Sequence, residues 1–342
     1  MIAAILALVV LALLIHPGPA PEAGGSGVAQ AGDVALYDGV IGGVRAGGNY
    51  YQLAADALRA GSYPLRPFLT FRLPTHSIVQ AALPPMLVPL FLYLLVLAVA
   101  VAWWVRLAPA FTRGAPRVVA TILMAAGLAA FVQADLVGLH EVWAGLLVAL
   151  ALALRRPGDW MTAAAIALVA MLVRETAALL PLVMAWAAWR EGAWRETGGW
   201  LATLGVLVLV LAVHAYAVDR VTGPLDPASP GWAGHLGLGF GLRALATSTA
   251  LIELPAGAGA ALALLAVVGW TTWTDPLGRR TAATIAGYLV ALALFARADT
   301  FYWALMPAPV ALVGLAFLPD ALRDLAHGAL DRRRVRVHRI TQ

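Results

Sequence analysis

The sequence has no cysteine, which excludes disulfides, thiolate metal sites and a cysteine nucleophile. It has no lysine either. All 23 basic residues are arginine, so Schiff-base chemistry and a P-loop are both closed to it. Charge is scarce as well. Only 12% of residues are charged and 62% are hydrophobic, whereas a soluble globular domain has about 25% charged residues. With a mean hydropathy of +0.84, the chain reads as an all-α polytopic membrane protein. Its pI near 10 does not point to nucleic acid, because the arginines are spread over short loops, as membrane insertion requires.

Long polar stretches are missing too, with one exception. Tyr37 to Pro84 carries Asp38, Arg45, Asp56, Arg59, Arg66, Arg72 and His76, together with Tyr37, Tyr50, Tyr51 and Tyr63, half of the eight tyrosines. A loop of this length is either functional or disordered. A helix signal inside it argues for order. Asn49 is a good N-cap, Tyr50, Leu53, Ala54, Ala57 and Leu58 share one face, and Gly61 and Pro64 stop the turn. An amphipathic surface helix flanked by extended polar segments is expected. The Gly/Ala/Ser-rich residues 23–32 read as a mobile linker.

Apolar runs fall at about 2–15, 84–105, 117–134, 141–154, 160–173, 176–189, 200–218, 242–272, 281–297 and 301–318. A full span takes about 20 residues, so the short runs need flanking residues or tilt. The 242–272 run is interrupted by Glu253, Pro255 and glycines, and reads either as one broken helix or as a surface helix followed by a span. The expectation is ten spans in a single membrane domain: a first transmembrane helix at 1–15, an outer loop at 16–83, the remaining helices at 84–318 and a basic tail at 319–342. Ala29-Gln30-Ala31 would suit signal cleavage, but no basic residue precedes the first apolar run, which favours an uncleaved helix. With the N-terminus cytoplasmic, alternating loops place fifteen arginines inside and eight outside, the sign the positive-inside rule demands.

That topology collects ionisable residues on the outer rim: Asp135, His140 and Glu141 in ADLVGLHEVW, Arg174 and Glu175 in LVRETAAL, and Arg297 and Asp299 in FARADTFYW. Charges at membrane depth are costly and tend to be paired, cavity-facing and functional. The bland reading is that each is an ordinary helix-end residue in the headgroup layer.

The layout resembles the GT-C superfamily of integral-membrane glycosyltransferases, which includes protein O-mannosyltransferases and aminoarabinose transferases. NYYQLAADALRAGSYPLRPF is similar to the tyrosine-plus-helix segment of their first outer loop, and HEVWAGLLVALAL and LALVAMLVRETAALLP to the helices that follow. Many members carry adjacent acids just before that tyrosine; here Ala46 and Gly47 stand there. The resemblance implies a sugar donor on a polyprenyl phosphate, membrane lipid as surroundings, a bacterial inner (plasma) membrane location with both termini cytoplasmic, and an active site on the outer face. It puts the catalytic acid, a general base for the acceptor hydroxyl, at Asp38, with Asp56 as the fallback. Arg72, Arg174 or Arg297 would hold the leaving phosphate, since guanidinium offers bidentate donors and stays charged. Arg45, Tyr50, Tyr51, His76, Asp135, His140, Glu141, Glu175 and Asp299 are the candidate substrate-binding residues. No cofactor is specified; His140 and Glu141 are candidates for a divalent cation or for orienting the acceptor. Tyr50, Tyr51, Trp143, Tyr302 and Trp303 are candidates for stacking on sugar, or for the interfacial aromatic belt. The sugar and the acceptor are not specified. Competing readings are a transporter or flippase for a lipid-linked or anionic solute, a lipid-linked oligosaccharide polymerase or ligase, and a noncatalytic membrane subunit.

Overall fold

The computed structural model describes residues 26–111 and 114–330, and among them regular structure is helical with no β-strand. The expected first helix at 2–15 and the end of the basic tail lie outside the described residues. The polar stretch folds into three helices: α1 (Ser26–Arg45), α2 (Tyr50–Ala60) and α3 (Thr75–Ala82). The helix expected after Asn49 is present. Asn49 Oδ1 accepts from the amides of Tyr51 and Gln52, and Tyr50, Ala54, Ala55 and Leu58 are its buried face.

The extended segment expected before it is absent. Residues from Ser26 onward are helical, not a linker, and Asp38 lies inside α1. Five glycines in α1 hide it from a propensity reading, since glycine costs about 1 kcal/mol in a helix interior. Packing restores it: Val40 and Ile41 are buried, and Gly43 lets the Leu53 side chain of α2 come against the α1 backbone. α1 packs on both α2 and α3. This cap has a small core of Val40, Tyr50, Ala54, Ala55, Leu58, Leu65 and Phe71, closed by Val218 from the long helix Trp194–Asp219.

Below the cap lie α4 (Leu87–Leu107), α5 (Gly114–Gly127), α6 (His140–Leu154), α7 (Met161–Val173), α8 (Leu179–Arg190), α9 (Trp194–Asp219), α10 (Gly237–Thr247), α11 (Ala256–Trp270), α12 (Pro276–Phe295), the short α13 (Ala308–Ala311) and α14 (Leu318–Leu330). Two are long and apolar enough to cross a membrane: α4, extended to Ala110 (24 residues, mean hydropathy 2.4), and α9 (26 residues, 2.3). A third qualifies if Ala298–Leu305 and Ala308–Asp324, bent by 59°, form one broken span. Only 22% and 17% of the most apolar windows of α4 and α9 are buried. Leu90, Phe91, Leu94 and Leu97 of α4, and Val208, Leu209, Val213 and Tyr216 of α9, face outward. Exposed apolar faces of this extent demand an apolar environment. α5, α6, α7 and α11 are shorter apolar helices of 13–15 residues, and the 242–272 run breaks at residues 248–255.

Small residues let the helices touch backbone to backbone. A Cβ on Gly145 of α6 would collide with the Leu305 carbonyl, and one on Gly127 of α5 would stand 2.7 Å from the Ala308 carbonyl. At the C-terminal end of α6, Arg155 holds Glu196 through two hydrogen bonds of 2.8 and 2.7 Å, both side chains buried. Arg280, itself buried, also grips both oxygens of the more exposed Glu191. Glu141 begins α6 and Arg155 follows its end, about 22 Å away along 15 residues.

Candidate functional site

The site forms where the cap meets the N-terminal end of α6. Leu139 is extended, so α6 starts at His140 and Glu141, placing an acid in the first turn, where the helix dipole favours it. Arg174 is also extended and ends α7; the 3-10 turn Glu175–Ala178 then leads into α8. This break in an apolar run turns Arg174 onto Glu141 and sets Glu175 beside it. Arg174 Nε donates to Glu141 Oε1 at 2.6 Å, and its Nη1 donates to Glu175. Arg174 and Glu141 are buried. Burial alone would raise the Glu175 carboxyl; Arg174 and Arg72 outweigh it and hold the group below its usual range.

Arg72 arrives from the cap. Tyr50 fixes its backbone by donating to the Arg72 carbonyl at 2.7 Å. Its guanidinium is loosely held: Nη2 lies 3.8 Å from Glu141 Oε1 and 3.3 Å from the Tyr302 hydroxyl, and Nε meets no acceptor. Two of the three arginines expected to hold phosphate therefore converge, although 102 residues separate them. Arg297 forms its own pair instead, reaching both Asp299 oxygens at 3.0 and 2.6 Å and bonding Ser229 Oγ and the Gly231 carbonyl at 3.4 Å.

The histidines meet as well. The His76 and His140 rings are 4.4 Å apart, and the Tyr37 ring meets His140 edge-on at 4.8 Å. Both ring nitrogens of His140 are buried and unpartnered. Gln80 Nε2 bonds His76 Nε2 at 2.8 Å and donates to the Val137 carbonyl at 2.9 Å. Burial pushes His76 down to about 3, keeping it neutral. Trp143 donates to the same Val137 carbonyl and packs on His76.

Asp38 lies at the rim. Its Oδ1 would stand 3.1 Å from a Cβ on Gly138, so it rests against the bare backbone of the turn before His140. It stays open to solvent, while partial burial raises its carboxyl above the usual value, the direction a general base requires.

Other candidates are placed elsewhere. Asp56 is exposed and meets Arg59 at 3.6 Å. Asp135 is exposed in the turn Ala134–Leu136. Arg45 bonds the carbonyls of Gln80, Ala81 and Leu83, tying the end of α3 to α1. Tyr51 anchors α2 to α9 through a 3.1 Å bond with His214 Nδ1. Trp303 Nε1 is buried without an acceptor. Among the described residues, no three His, Asp or Glu side chains gather as a protein-held metal would need.

Gln80, Tyr37 and Gly138 were not among the expected site residues. Gln80 follows His76 by one helical turn, and Tyr37 precedes Asp38, so both carried a local signal; Gly138 carried none. Comparison with family models, with curated proteins and with solved structures found no match.

Proposed function

We propose that the chain is a multi-span membrane glycosyltransferase that moves a sugar from a polyprenyl-phosphate donor to an acceptor hydroxyl, working at the end of the bundle covered by α1–α3. The observation that carries this reading is the convergence of Arg72 and Arg174 on Glu141 where a polar cap meets apolar helices; Asp38 rests on Gly138, in the turn that leads into the same end of α6. A lipid-linked phosphate needs that combination: bilayer for its tail, guanidinium for its headgroup and a carboxylate for the incoming hydroxyl. Ten spans, both termini in the cytoplasm and a bacterial inner membrane belong to the same proposal. The distribution of arginine supports it, because Arg155 and Arg280 gather at one end of the bundle while Arg72 and Arg174 gather at the other.

In this mechanism Asp38 accepts the acceptor's proton as its oxygen bonds the anomeric carbon, and the bond from that carbon to the phosphate oxygen breaks. Arg72, with Arg174 behind it, stabilises the departing phosphate. Asp38→Asn keeps size and hydrogen bonding but not basicity. Sugar transfer from a polyprenyl-phosphate donor in reconstituted membranes should fall about 100- to 10,000-fold, with donor binding little changed. Wild-type rates in Asp38→Asn would remove Asp38 from the chemistry. A transporter reading has one observation in its favour, the 59° bend between Ala298–Leu305 and Ala308–Asp324, since broken helices recur in carriers. Solute uptake without sugar transfer would select it.

A further inference from the structure

We infer that Glu141 is the resting occupant of the phosphate site, and that the donor's phosphate takes its place on Arg72. This rests on the proposed transferase reading and concerns how that site is kept before substrate arrives. The two arginines are held very unequally. Arg174 is locked, bonded to Glu141 at 2.6 Å and to Glu175, with 3% of its side chain exposed. Arg72 has only a 3.8 Å approach to the same Glu141 oxygen and a 3.3 Å bond to Tyr302, an idle Nε, and 13% of its side chain exposed. A guanidinium offers five donors in a rigid fork, and Arg72 leaves that fork largely unused.

Glu141 thus balances Arg72 at a distance without satisfying it. A phosphate oxygen reaching Arg72 at ordinary hydrogen-bond length would outbid that contact. Glu141 loses nothing essential in the exchange, because Arg174 still holds it. Arg72 is then the ligand-contacting cation. Arg174 is a positioning residue, and Glu141 sets how tightly any anion binds. Tyr302 is the second tether keeping Arg72 in its resting place. The shared chemistry is a phosphate monoanion or dianion, whether on a prenyl lipid or free.

The test uses the full chain in lipid nanodiscs, with geranyl phosphate, inorganic phosphate and geraniol as probes. Wild type should bind geranyl phosphate, and Arg72→Gln should lose that binding. Glu141→Gln removes the competing charge and should tighten it about tenfold or more. Tyr302→Phe, which leaves the buried ion pair intact and so covers the case where Glu141→Gln does not fold, should tighten it about threefold. Geraniol binding should not respond to any of these changes. A tightening seen with geranyl phosphate but not with inorganic phosphate assigns the site to a lipid headgroup; an equal response assigns it to free phosphate, and either supports the exchange. If wild type binds geranyl phosphate but Tyr302→Phe and any folded Glu141→Gln bind it no better, the exchange is wrong and the transferase reading stands. If no form of the chain binds geranyl phosphate, both fail.

Discussion

Gln80 fixes the proton of its neighbour. Its amide nitrogen must face the Val137 carbonyl, so it is also a donor towards His76 Nε2, and His76 therefore carries its hydrogen on Nδ1. That Nδ1–H is buried and finds no acceptor, so a second proton on this ring would be a buried, unmatched charge. The sign follows. The folded-state value of about 3 lies below the ordinary 6.5, so the unfolded chain takes up a proton first as pH drops. Stability contributed by neutral His76 is whole above pH 6.5 and declines as pH falls from there towards about 3. Thermal denaturation of the purified protein should show a Tm that drops across this window, and His76→Asn should flatten the drop. An unchanged slope in the variant would mean that His76 is not a source of the acid sensitivity.

Whole elements differ in how far they can be read from the chain. α2 was legible because its signals are local: an N-cap, an apolar face and a glycine stop within a dozen residues. α1 was not, because its glycines argue against a helix and the contacts that restore it come from Leu53 and from α3. The site divides in the same way. The charges of LVRETAAL and HEVWAG stand out against apolar surroundings, so Glu141, Arg174 and Glu175 could be singled out. Nothing local says that Arg174 meets Glu141, that Arg72 joins them, or that Arg297 pairs with Asp299 instead. Those outcomes depend on helix packing between distant segments. A prediction belongs at this level. Asn49 caps α2 with two hydrogen bonds, so Asn49→Ala should cost about 1 kcal/mol and speed proteolysis within Tyr50–Ala60. Protease resistance equal to wild type would show that packing on Val218 and Leu65 alone holds this helix.

Across the molecule, two sets of ion pairs mark opposite ends. Glu141, Arg174 and Glu175 lie under the cap, and Arg155, Glu196, Glu191 and Arg280 lie at the far end of α6. If the bundle sits in a membrane with the cap outside, single cysteines introduced into the otherwise cysteine-free chain at residue 60 and in the last ten residues should react with a membrane-impermeant thiol reagent from opposite sides. Reaction of both from one side would overturn the topology.

The glycine contacts reach further than packing. Gly127 and Gly145 lie in the first half of the helical body, and each faces a carbonyl of the 305–309 segment in the second. At each glycine the nearest atom across the seam is a main-chain carbonyl oxygen. A carrier that exposes its solute first to one side and then to the other must let two halves part, and here that would pull apart a seam of main chain against main chain. A catalyst makes no such demand. The cap of α1–α3 rests on this body through a core it shares with Val218 of α9, so in the proposed transferase the seam beneath can stay shut while chemistry proceeds above it.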